Sequence, residues 1–113
     1  MTGSAYALSL TLPNDGFAVT AGEPVIGGLH GPTRHFHCGF CMSWVFTRPS
    51  GMDFVNLRAP MLDDARWFAP FVEMWTSEKL PFAQTGAVHS FVGDPPFSDY
   101  PRLIEAYQMS GAR

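Results

Sequence analysis

The residues best equipped for chemistry crowd into one short stretch, His35-Phe36-His37-Cys38-Gly39-Phe40-Cys41. Cys38 and Cys41 are the only cysteines and stand at C-x-x-C spacing. At the tip of a hairpin that spacing turns both sulfurs to one side, where two thiolates can bind one metal ion. The plainer reading is a pair of reduced thiols in a β-hairpin. A thioredoxin-type redox pair needs a helix start in a βαβ setting, and strand-like sequence on both sides argues against it. Two cysteines are too few for a disulfide framework, and in a reducing compartment the pair points to metal or redox chemistry.

The neighbouring candidates each carry a bland alternative. His35 and His37 share a strand face at period two, and Cys38 starts on the other face. Either imidazole reaches a metal held by the cysteines only if the strand bends into the turn, and a hydrogen-bonded or exposed strand histidine is the commoner case. His30 and His89 lie in loop-like sequence and read as surface residues. Asp63-Asp64 resembles an acid–base pair, but adjacent carboxylates ahead of a short helical turn are better placed as caps. Arg34 and Arg58 can recognise a ligand carboxylate or pair with Glu23 or Asp53. The Phe and Trp residues are core material before they are a ligand cage.

What positions these groups is mostly strand. Tyr6, Leu8, Leu10 and Leu12 alternate with Ala7, Ser9 and Thr11, which is a half-buried strand. Pro13-Asn14-Asp15-Gly16 makes a turn, with Gly16 available for positive φ. Short strands are expected at 17–20 and 24–29. Residues 33–38 and 43–47 form the arms of a hairpin around the cysteines, and 54–58 follows the Pro49-Ser50-Gly51 turn. A helical turn at 65–68, capped by Asp63 or Asp64, and a strand at 71–75 come next, then a loop-rich stretch at 81–97. Tyr100, Leu103, Ile104 and Tyr107 carry the one helical stripe, near 99–109, capped by Ser98 or Asp99, with Pro101 in its first turn and Gly111 to end it. The expectation is a mainly β, antiparallel fold with one C-terminal helix.

Composition bounds the function. At 113 residues the chain suits a single domain, 1–113. Only 15% of residues are charged, net charge is −3 and the first basic residue is Arg34. No basic stripe exists to neutralise phosphates, so no nucleic-acid partner is expected. Eleven Gly and ten Pro suit turns between short strands. No apolar run reaches bilayer length, so no membrane partner is expected. The apolar start lacks a basic flank and a small-x-small cleavage site, so a cytoplasmic location is expected.

The run from Arg34 to Phe46 (Arg34-His35-Phe36-His37-Cys38-Gly39-Phe40-Cys41-Met42-Ser43-Trp44-Val45-Phe46), then Arg58, Leu62-Asp63-Asp64 and Phe68-Ala69-Pro70, resembles the glutathione-dependent formaldehyde-activating enzyme family, the CENP-V/GFA domain. Gly3-Ser4-Ala5-Tyr6-Ala7-Leu8, Asp15-Gly16-Phe17, Gly22-Glu23-Pro24 and Trp75-Thr76-Ser77-Glu78-Lys79-Leu80-Pro81 are similar to the same family in the same order. The resemblance implies an antiparallel β-tent with a structural zinc, for which Cys38 and Cys41 match one of two cysteine pairs. It also implies a carbon–sulfur lyase that joins formaldehyde to glutathione or acts on another thiol adduct, at a second zinc held by a C-x-C-x-x-C. That motif belongs just ahead of Gly3-Ser4, where this sequence begins, so no catalytic residue is assigned; the resemblance implies either a start placed too late, which is the expectation, or a truncated family member. Met42 stands where many members have Gly. The chain as given is expected to be inactive in that reaction, with a half-formed zinc site that is empty or shared in a homodimer; the alternative is a non-catalytic zinc-binding interaction module.

Overall fold

The computed structural model describes residues 2–29 and 31–110. It divides into two compact units, Met1–Asp63 and Asp64–Arg113. The fold is mainly sheet, with a five-stranded antiparallel sheet in the first unit and one C-terminal helix in the second.

The sheet comprises β1 (Ser9–Pro13), β2 (Val25–Gly27), β3 (Arg34–His37), β4 (Trp44–Arg48) and β5 (Phe54–Arg58), in spatial order β1-β5-β4-β3-β2. Its register explains why alternation in the sequence becomes a two-faced sheet. Leu10 pairs with Leu57, Leu57 with Phe46, Phe46 with Phe36, and Phe36 with Ile26. One apolar row therefore crosses all five strands, joined by Val55 opposite Leu12. At its centre the Phe46 ring stacks on Phe36 at 4.6 Å and tilts against Phe17 at 4.8 Å. Phe46, Val55 and Ala59 are buried. The other face is polar: Thr11 lies opposite Asn56, Asn56 opposite Thr47, and Thr47 opposite His35. Thr11 Oγ1 donates to Asn56 Oδ1 at 2.9 Å.

Several local expectations change. Gly16 sits in a 3-10 turn, Asn14–Gly16, without positive φ. Residues 17–20 form no strand; Phe17 instead turns its ring onto Phe46. Arg34 Nη1 donates to the carbonyls of Gly31 and Pro32 rather than to Glu23, and Asp53 accepts from Asn14 Nδ2 rather than from an arginine.

In the second unit β6 (Val72–Glu73) and β7 (His89–Ser90) pair in parallel, followed by α1 (Tyr100–Met109). The Glu73 carboxylate accepts from Ser90 Oγ at 2.6 Å and Thr85 Oγ1 at 2.5 Å, and these bonds, Ser90's first, hold its pKa below the usual carboxylate value. Phe71 meets His89 and Tyr107 edge-on, at 5.0 and 5.3 Å. His89, expected on the surface, is thus half-buried in a strand. β6 is shorter than the expected 71–75, and beyond it Trp75 is left-handed, φ 59°, with its indole N–H donating to Asp94. The 65–68 segment is a turn rather than a helix, in which Asp64 accepts from the Arg66 backbone N–H and side chain. The helix α1 forms as expected, with Leu103 buried, Tyr100 and Tyr107 half-buried and Pro101 in the first turn, but Ile104 of the expected stripe is exposed and neither Ser98 nor Asp99 makes a side-chain cap. Gly111, its expected terminator, lies outside the described residues, as does His30. No helix among the described residues is long and apolar enough to cross a membrane.

Candidate metal centre

β3 and β4 are the arms of the hairpin, and Cys38 to Ser43 is its tip. The ladder closes with Cys38 N–H donating to the Ser43 carbonyl at 2.8 Å. Inside it, Met42 N–H donates to the Cys38 carbonyl at 2.8 Å. These two bonds fold Cys38-Gly39-Phe40-Cys41 into a tight knuckle, and they require the left-handed φ of 62° seen at Met42. Glycine takes that conformation at no steric cost, whereas a Cβ makes it unfavourable by about 1–2 kcal/mol. Met42 takes this conformation with its side chain in place, and the strain is local. Met42→Gly is expected to stabilise the chain by about 0.5–1 kcal/mol, after allowing for glycine's larger unfolded-state entropy. Urea denaturation tests this, and a loss of stability would show that Met42 is not strained.

Cys38 is half-buried and Cys41 exposed, both as free thiols. Cys41 Sγ lies 3.2 Å from Ser43 Oγ. The thiol donates in the neutral form, and on ionisation the hydroxyl can turn and donate to the thiolate. Ser43 side chain, Ser43 backbone and Cys38 thiol, in that order, lower the Cys41 pKa from its ordinary value. A thiolate stabilised this way is the form that attacks electrophiles and binds metals. The pH midpoint of Cys41 alkylation is therefore expected below that of a free thiol and to move upward in Ser43→Ala. An unchanged midpoint would remove Ser43 from the site.

The two histidines are placed elsewhere. His35 Nδ1 lies 2.9 Å from Thr47 Oγ1, and its ring meets Trp44 edge-on at 5.4 Å. His37 packs its ring over Gly27, where an added Cβ would stand 3.1 Å from Nδ1, a buried atom with no hydrogen-bond partner. Among the described residues no three His, Cys, Asp or Glu side chains gather as a metal site. The knuckle brings two thiols, Cys38 and Cys41, to one hairpin tip.

A bulge explains the surroundings. Phe36 pairs with Phe46 but His37 pairs with Trp44, leaving Val45 as the extra residue. Trp44 consequently reaches the polar face, where its Nε1–H donates to Thr47 Oγ1 at 2.9 Å. The Arg58 guanidinium lies 4.3 Å over the Trp44 ring, a cation–π contact. Burial lowers the Arg58 pKa, though the group stays charged. Sequence reasoning overlooked Ser43, Thr47 and the Trp44–Arg58 stack. A serine two residues after Cys41 was a usable signal; the bulge that brings Trp44 to Arg58 leaves none.

No family model, curated protein or solved structure matches this chain.

Proposed function

We propose that the chain is a zinc-binding β-tent domain of the CENP-V/GFA type, with Cys38 and Cys41 as thiolate ligands to a structural zinc. The observation that carries this reading is the knuckle: two backbone bonds of 2.8 Å, a left-handed residue after the second cysteine and a Cys41 thiol of lowered pKa. Zinc, when bound, supplies a fixed tetrahedral cross-link for the hairpin. The chain's own residues prepare for it: Ser43 favours the Cys41 thiolate, and the closed ladder fixes the hairpin tip.

By resemblance the wider activity is carbon–sulfur lyase chemistry on a glutathione–formaldehyde or related thiol adduct. A catalytic zinc needs protein ligands that hold it while leaving one position open, and the knuckle alone offers two. The purified 113-residue chain with zinc is expected to leave formation of the glutathione–formaldehyde adduct at its uncatalysed rate. Zinc-dependent acceleration above that baseline, lost in Cys41→Ser, would overturn the structural assignment of this site.

A second reading, a non-catalytic module that pairs with another copy of itself, is favoured by one observation. Phe40, at the knuckle tip, is 96% exposed, and beside it Val25 and Ile26 stand exposed on the edge strand β2. Two such tips meeting would bring four cysteines to one ion and cover an open sheet edge. Half a zinc per chain in a dimer is the result that selects this reading, and a monomer with one tightly held zinc per chain rejects it.

A further inference from the structure

The two knuckle cysteines are unequal, a difference that their spacing alone does not show. Both are free thiols, but Cys41 is exposed, with its Sγ 3.2 Å from Ser43 Oγ, and Cys38 is half-buried. They are also held together. The Met42 N–H to Cys38 carbonyl bond of 2.8 Å closes the chain into one turn that contains both residues. A turn of that span keeps the two Cα atoms within about 7 Å, the separation that a disulfide needs. The Cys38 thiol is near enough to hydrogen-bond with that of Cys41.

We propose that the knuckle is a site of reversible oxidation by hydrogen peroxide, in which exposed Cys41 reacts first and Cys38 resolves it into a disulfide within the chain. The Cys41 thiolate attacks one peroxide oxygen: the S–O bond forms, the O–O bond breaks, and the departing hydroxide takes up a proton as water. The Cys38 sulfur then displaces the sulfenic oxygen. The S–S bond forms, the S–O bond breaks, and a second water leaves with the Cys38 proton. Two thiols and one peroxide thus give one disulfide and two waters. Proximity within one turn favours this closure over pairing with another chain. Exposure at Cys41 leaves the product open to a small thiol, which restores both cysteines. No thioredoxin-like helix start is called for, because the pair is the group oxidised and not a catalyst. The disulfide uses both sulfurs, so peroxide and zinc compete for the knuckle, yet the oxidation itself needs no metal.

The test treats the reduced chain, stripped of metal by a chelator, with hydrogen peroxide and follows it by thiol titration and non-reducing peptide mapping. Both thiols are expected to disappear together, giving a Cys38–Cys41 disulfide in a chain of unchanged oligomeric mass, and both should return with reduced glutathione. Cys38→Ser should stop at a sulfenic acid on Cys41 that dimedone captures, whereas Cys38 in Cys41→Ser should react at least about tenfold more slowly. The wild-type mapping decides the matter even if a variant fails to fold. Because the sample holds no metal, its outcome is independent of zinc binding. Disulfides between chains, sulfinic acid without a disulfide, Cys38 oxidised as fast as Cys41, or thiols that glutathione does not restore would each overturn the proposal.

Discussion

Phe46→Ala is expected to cost about 3–5 kcal/mol, which for a small domain is a large share of its total stability. Phe46 is 3% exposed in the central strand β4 and touches the chain in three ways: stacked on Phe36, tilted against Phe17 and covered by the Arg48 guanidinium at 5.7 Å. Its removal opens a cavity in the middle of the apolar row, and few other side chains of the sheet are buried deeply enough to collapse into it. Phe40→Ala provides the contrast. That ring is 96% exposed, so its loss should leave stability within about 0.5 kcal/mol. Guanidinium denaturation of both variants, followed by circular dichroism, checks the pair. A Phe46→Ala midpoint equal to that of Phe40→Ala would mean that the sheet's packing is wrongly described.

The contrast between those two phenylalanines also shows where sequence reading reaches its limit. Period two placed Leu10, Leu12 and Phe46 on strands and left the same residues to form the core row, because alternation and a one-sided sheet are the same physical fact. The single helix was legible for the same reason, as a 3.6-residue stripe ending in a buried Leu103. The parallel β6–β7 pair was not, since two residues per strand carry no period and the pairing joins segments sixteen or more residues apart. Within the site, C-x-x-C between two strands announced the knuckle. Spacing alone left the placement of His35 and His37 open, and the register sets it: Thr47 opposite His35 supplies a hydroxyl, and Gly27 leaves room for the ring of His37. The Trp44–Arg58 contact depends on a bulge, and a bulge leaves no periodic trace.

The second large effect concerns the thiolates. A four-ligand structural zinc contributes about 10–16 kcal/mol, so each ligand accounts for roughly 3 kcal/mol and its loss for about 100-fold or more in affinity. Cys38→Ser and Cys41→Ser are each expected to weaken zinc binding by at least that factor. His35→Ala and His37→Ala are expected to leave it within a few-fold, because His35 is hydrogen-bonded to Thr47 and the ring of His37 packs over Gly27. The direct measurement is a cobalt(II) titration of the reduced chain, read by the thiolate-to-metal charge-transfer band and competed with zinc, alongside light scattering for mass. A charge-transfer band with two thiolates per chain is expected, disappearing in either serine variant and surviving both histidine variants. No band in the wild-type chain, or a band unaffected by Cys38→Ser and Cys41→Ser, would contradict it.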